Sequence, residues 1–116
     1  MKPSKLALVI LAIACTIFLI LPNVSWADDS SALFKTKCAV CHGLAGRADT
    51  PMATKQNIPA FNSDRVKKQS APEIEDFILN GGKEKKSSHA WAHKGMSKEE
   101  GTKLAAYVKQ LGNQAK

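Results

Sequence analysis

The most informative segment of the chain is Cys38-Ala39-Val40-Cys41-His42. Two cysteines separated by two residues and followed directly by a histidine form C-x-x-C-H, the pattern for covalent attachment of a c-type haem. The two thiols can add to the two vinyl groups of the porphyrin, and the adjacent imidazole can then bind the iron from one side. The segment therefore predicts one haem c, bound covalently through Cys38 and Cys41, with His42 as an iron ligand.

Two other interpretations of the cysteine pair fit less well. A zinc site needs two further ligands, and the chain offers only His89 and His93 as a second histidine pair. A redox dithiol normally opens a helix that follows a strand, and no strand pattern precedes Cys38. Haem attachment also explains the histidine at position 42, and the other two interpretations do not.

Residues 1–27 have the character of an export signal. Lys2 and Lys5 precede an apolar run over residues 6–21, and Ser25-Trp26-Ala27 has the small-x-small pattern of a cleavage site. The competing interpretation is an uncleaved membrane anchor, because the apolar run is nearly long enough to span a bilayer. The cleavage pattern favours removal, which places the remaining chain in the periplasm or otherwise outside the cytoplasm.

Residues 28–116 are enough for one small domain. A chain of this size buries little apolar surface, and a covalently held porphyrin would add to its core. Lys2 and Lys5 account for two of the 17 basic residues, so this domain carries 15 against 10 acidic residues, a net charge of about +5. A basic surface favours acidic partners, and we expect no nucleic-acid partner for an exported protein.

Three segments of the domain have the apolar spacing and the caps of helices. The first is capped by Ser30 or Ser31 and runs into the cysteines. The second starts at a capping box over residues 70–73, and the third starts at a capping box over residues 97–100 and ends at Gly112. No segment alternates between apolar and polar residues for long enough to form a sheet. The fold class is therefore all-α.

The segments between these helices have the composition of loops. Residues 43–51 are rich in glycine and turn formers. Residues 52–68 are weakly patterned, with Pro59 and Phe61 as the residues that we expect to point inward. Residues 83–95 form a loop in which Trp91 is an aromatic anchor.

This order of helix, C-x-x-C-H, loop, short helix, second loop and C-terminal helix resembles the class I cytochromes c, particularly the small bacterial proteins with one haem. The resemblance covers nearly all of residues 28–116. It implies three main helices wrapped around the haem, with the first and last packed at a right angle. It also implies that Phe34, four residues before Cys38, contacts Tyr107 of the last helix.

The chain departs from this family at the sixth iron ligand. The family usually places a methionine shortly before the serine that caps the last helix. Counting back from Ser97 without a gap, that position falls on His89. The resemblance therefore implies that His42 and His89 are the two iron ligands of this chain.

Other residues remain candidates for the sixth position. Met96 has suitable chemistry, but it lies where the family more often has a leucine that packs into the core. His93 follows His89 by four residues, and Met52 lies in the segment after Pro51. An iron site left open on this side is the remaining alternative.

The resemblance implies a monomeric carrier that transfers single electrons between redox proteins. Its partners would have acidic docking faces, because four lysines flank the ligand loop: Lys83, Lys85, Lys86 and Lys94. No nucleophile with a base, phosphate loop or paired carboxylates indicates an enzyme. The alternative is a small haem enzyme, or a haem protein that binds peroxide or a gas at an open or weak sixth position. A bound subunit of a larger oxidoreductase is a third interpretation.

Overall fold

The computed structural model describes residue 5, residues 9–10 and residues 26–114. Its helices in chain order are α1 (Trp26–Lys37), α2 (Ala39–His42), α3 (Pro51–Gln56), α4 (Asp64–Lys67), α5 (Ala71–Asn80), a 3-10 helix here named the Trp91 turn (Trp91–Lys94), and α6 (Lys98–Gln114). The three main helices are α1, α5 and α6. No residue of this described part lies in a strand, which confirms the predicted all-α class.

The predicted export signal, residues 1–27, lies almost entirely outside the described residues, and so does the alternative of an uncleaved anchor. Cleavage before Asp28 therefore stays a prediction. Within the ranges that the structure describes, no helix combines the length and the apolar character that crossing a membrane requires.

The two predicted capping boxes are confirmed. The Ser70 amide donates to the Glu73 carboxylate at 2.7 Å, and the Glu73 amide donates back to the Ser70 hydroxyl at 3.3 Å. At the start of α6, the Ser97 amide donates to the Glu100 carboxylate at 2.8 Å, and the Glu100 amide donates to the Ser97 hydroxyl at 3.1 Å. These bonds satisfy amides that have no partner within the helix, so local sequence fixes where α5 and α6 begin.

The predicted cap of the first helix is wrong. Because α1 begins at Trp26, Ser30 and Ser31 lie inside it. Ser30 is buried, and the Ser31 hydroxyl accepts a hydrogen bond from the Tyr107 hydroxyl at 3.4 Å. These serines thus serve contacts with the rest of the fold, which here override the preference of serine for a helix start.

The predicted end of the last helix is also wrong, because α6 continues past Gly112 to Gln114. Gly112 is buried, and a Cβ atom at this position would lie 2.7 Å from the carbonyl oxygen of Phe61. The glycine therefore allows the chain around Phe61 to approach the helix closely. Close approach and helix termination both select glycine, and the sequence alone does not separate them.

The segment after the haem motif contains more helix than expected. Thr50 caps α3 by accepting a hydrogen bond from the Ala53 amide at 3.0 Å, and Pro51 occupies the start of the helix. The second short helix, α4, lies farther along the stretch that has only a weak pattern. Of the two residues expected to point inward there, Phe61 is buried and Pro59 is half-buried.

The core joins the first helix to the last. Phe34 is completely buried, and its ring makes edge contacts with the rings of Tyr107 and Phe61 at centroid distances of 5.4 and 5.9 Å. The predicted contact between Phe34 and Tyr107 is therefore confirmed. Since α6 also packs against α5, all three main helices share one core, with Leu104 of α6 completely buried in it.

Candidate functional site

The two cysteines lie on one helical turn. The Cys38 amide donates to the Phe34 carbonyl at 2.8 Å, and the His42 amide donates to the Cys38 carbonyl at 3.0 Å, so helical hydrogen bonding continues from α1 into α2. Both thiols are free and partly exposed. Burial raises the pKa of the Cys38 thiol to about 11, so it is protonated at neutral pH. Two partly exposed sulfurs on one turn fit bonding to a single porphyrin edge.

The loop after His42 folds back and supports α2. The Thr50 hydroxyl donates to the Cys41 carbonyl at 2.6 Å, and the Ala48 amide donates to the His42 carbonyl at 3.0 Å. Gly43 begins this reversal with a φ of 82°, a conformation that favours glycine. Thr50 was not predicted as a site residue. The threonine directly before Pro51 was the available indication, because it is typical of a helix start.

The ring of His42 lies in a largely apolar environment. It packs against Phe61 with a centroid distance of 4.9 Å, and its Nδ1 is buried without a hydrogen-bond partner among the described residues. Burial lowers the pKa of His42 to about 4, with a further contribution from His89. The imidazole is therefore neutral at pH 7, the form that binds a metal. A neutral, half-buried ring with an unpaired, buried nitrogen fits the role of an iron ligand.

The loop before α6 brings His89 to the ring of His42. The two centroids are 6.0 Å apart and the ring planes are inclined by 56°. A metal–nitrogen bond is about 2 Å long, so one metal ion held between two rings at this distance would lie within reach of both. Burial and the charges of Lys94 and Lys86 lower the pKa of His89, so this ring also favours its neutral form. The structure therefore brings the two predicted ligands together, with both rings favouring the neutral form.

The other candidates for the sixth position have different surroundings. Met96 is 7% exposed in the hydrophobic core, and it borders a cavity of about 430 Å³ together with Leu79 and Ala92. Met52 is exposed, and its sulfur accepts a hydrogen bond from the Gln56 amide group at 3.1 Å. His93 is exposed on the Trp91 turn. The structure thus places Met96 where a packing leucine would lie.

Near His89, the sequence alone did not predict the ring contact of Phe77 or the lysine contacts of Trp91. Phe77 of α5 packs on the His89 ring with a centroid distance of 4.5 Å. Trp91 packs against the core, which confirms it as an aromatic anchor, and it also contacts the ammonium groups of Lys94 and Lys37. Phe77 lies on the apolar face of α5, at helical spacing from the buried residues of that helix. Its neighbour depends on how the loop folds, which the spacing of apolar residues does not reveal.

An all-helical fold that presents two free thiols and a neutral imidazole on consecutive turns defines a protein that holds haem c covalently. A family model described as cytochrome c matches residues 27–112. The chain belongs to the cytochrome c family, and Cys38 and Cys41 are the cysteines of its haem c attachment motif. A search among curated proteins gave no match.

Proposed function

We propose that the protein is an exported electron carrier in which His42 and His89 are the two iron ligands. Membership of the cytochrome c family implies haem-based electron transfer. When bound, the haem supplies an iron centre that gains and loses one electron. The observation that supports the ligand pair is the approach of the two imidazole rings, 6.0 Å between centroids.

Export is supported by two features of the sequence. Residues 1–27 have the pattern of a cleavable signal. Haem c is attached outside the cytoplasm in bacteria, so a chain with the C-x-x-C-H segment has to be exported before it can function. We propose the periplasm as the compartment, with membrane association only if the N-terminal segment is retained.

Each of the two imidazole rings packs against one aromatic side chain. Phe61 packs on His42 and Phe77 packs on His89, and these contacts limit the rotation of both rings. Imidazole donates electron density to iron more strongly than a thioether does, so it stabilises the ferric state. A histidine pair should therefore give a lower reduction potential than a histidine and a methionine.

The spectrum of the purified holoprotein tests this ligand pair. We expect a low-spin oxidised form without the weak far-red charge-transfer band that an iron–methionine bond produces. Carbon monoxide added to the reduced protein should cause no rapid spectral change, and a redox titration should give a potential below that of cytochromes with methionine ligation. A clear sulfur band would contradict the proposal, and rapid carbon monoxide binding would favour an open or weak sixth position.

We propose that the partner is a redox protein with an acidic docking face. The four lysines around the ligand loop are exposed, although Lys86 pairs with Glu84 at 3.2 Å, which reduces the net charge of this rim. Val40 and Leu44, beside the attachment cysteines, are 74% and 68% exposed. Exposed apolar side chains and exposed basic groups are both features that a transient, electrostatically steered encounter uses.

Ionic strength tests the electrostatic part of this proposal. A gold electrode with a carboxylate-terminated film can represent the acidic partner. We expect the rate of electron transfer to this film to fall between low and physiological salt, because salt screens the attraction of exposed charges. A hydroxyl-terminated film is the control, and its rate should change little. Equal salt responses on the two films would contradict a basic docking face.

A further inference from the structure

Trp91 contacts two lysines that come from different parts of the chain. The Nζ of Lys94 lies 4.4 Å from the centroid of the Trp91 ring, and the Nζ of Lys37 lies 5.2 Å from it. Both distances are within the range of cation–π attraction. Lys94 also donates to the Ser87 carbonyl at 3.3 Å, which joins the two ends of the segment around His89.

Lys37 connects this cluster to the haem attachment segment. It is the last residue of α1 and directly precedes Cys38. The Trp91 turn itself packs against α5, so the contact with Lys37 adds a support from a second main helix. Since His89 is two residues before Trp91, this support acts close to the proposed sixth ligand.

The loop that carries His89 depends on such supports. Residues 83–88 are exposed, and the backbone hydrogen bonds near His89 are local, with the His89 amide donating to the Lys86 carbonyl at 3.1 Å. Ala90 has a φ of 54°, in the left-handed region that alanine rarely adopts. A strained, exposed loop with local hydrogen bonds has low stability of its own. Tertiary contacts must therefore fix the position of the imidazole.

We infer that Lys37 and Trp91 act together as a clamp that holds the His89 loop against the end of α1. Trp91 is thus a positioning residue for the sixth iron ligand, and Lys37 couples that ligand to the helix that directly precedes the haem cysteines. The inference rests on the proposed ligation by His89. Weakening the clamp should let the loop open more often and expose the iron to an external ligand.

The test measures how fast carbon monoxide displaces the sixth ligand in the reduced holoprotein. Lys37→Met removes the charge but keeps an apolar chain of similar length, while Lys37→Arg keeps the cation. Lys35→Met is the matched control, because it removes the same charge from an exposed position of the same helix. Hydrogen exchange of the amides in residues 86–94 provides a second readout of loop opening.

We expect Lys37→Met to raise the rate of carbon monoxide binding and the exchange of the loop amides roughly two- to fivefold, the change that loss of one exposed cation–π contact implies. In Lys37→Arg and Lys35→Met, the rate of carbon monoxide binding and the exchange of the loop amides should stay near those of the parent. Trp91→Leu loses both lysine contacts and part of the packing, so its rate should rise more than that of Lys37→Met. Because Lys37 is exposed, its variants test the clamp even if Trp91→Leu fails to fold.

Parent-like rates in Lys37→Met and Trp91→Leu would overturn the clamp, and so would a lower thermal midpoint without any change in carbon monoxide binding. In either case, rapid carbon monoxide binding by His89→Ala would show that the proposed ligation still holds. If His89→Ala keeps the parent spectrum, the ligation itself fails and the clamp fails with it.

Discussion

Replacing His89 by alanine is expected to convert the haem from a low-spin form to a high-spin form that binds carbon monoxide rapidly when reduced. The variant removes the imidazole that lies 6.0 Å from that of His42, and alanine offers no atom that can bind iron. Cys38, Cys41 and His42 are unchanged, so the haem stays attached and keeps one protein ligand. The visible spectrum of the oxidised variant and the rate of carbon monoxide binding measure the change.

Met96→Leu is the matched control for this experiment. Met96 is 7% exposed in the core, and leucine has a similar volume, so the substitution should cost less than about 1.5 kcal/mol of stability. We expect its low-spin spectrum and its reduction potential to match those of the parent. If the parent protein showed a sulfur band and Met96→Leu lost it, Met96 would be the sixth iron ligand instead of His89. His93→Ala, at an exposed position, should also leave the spectrum unchanged.

Much of the fold was predictable because short-range chemistry determines it. The haem motif depends on residues that are adjacent in the chain, and the starts of α5 and α6 depend on hydrogen bonds between residues three apart. The apolar residues of α6 recur at helical spacing, and three of them, Leu104, Val108 and Leu111, are buried. For these features the local sequence and the packed fold favour the same structure.

The wrong predictions concern residues whose role depends on distant parts of the chain. Serine is a residue type that often caps helices, but the hydroxyl of Ser31 contacts Tyr107 in the last helix. Gly112 resembles a helix end, but it lies against the backbone of Phe61. The contact of Lys37 with Trp91 likewise joins residues that are far apart in sequence. Local patterns carry no information about such pairs, because several roles select the same residue type.

Replacing Phe34 by alanine is expected to lower the free energy of unfolding of the holoprotein by about 3–5 kcal/mol, the usual cost of truncating a buried aromatic ring. Phe34 is 0% exposed and contacts the rings of Tyr107 and Phe61, so its loss leaves a cavity between α1 and α6. Since Phe61 also packs on His42, the cavity would loosen the surroundings of the iron ligand.

The thermal midpoint of the Phe34→Ala holoprotein measures this effect, and for a domain of this size it should fall by at least about 10 °C. Leu44→Ala is the control, because Leu44 is 68% exposed and its truncation should change stability by no more than about 0.5 kcal/mol. Leucine fills more of the cavity than alanine does, so the thermal midpoint of Phe34→Leu should lie between those of Phe34→Ala and Leu44→Ala. If the midpoint of Phe34→Ala stayed within the range of the Leu44→Ala control, the aromatic contact could not be what holds α1 against α6.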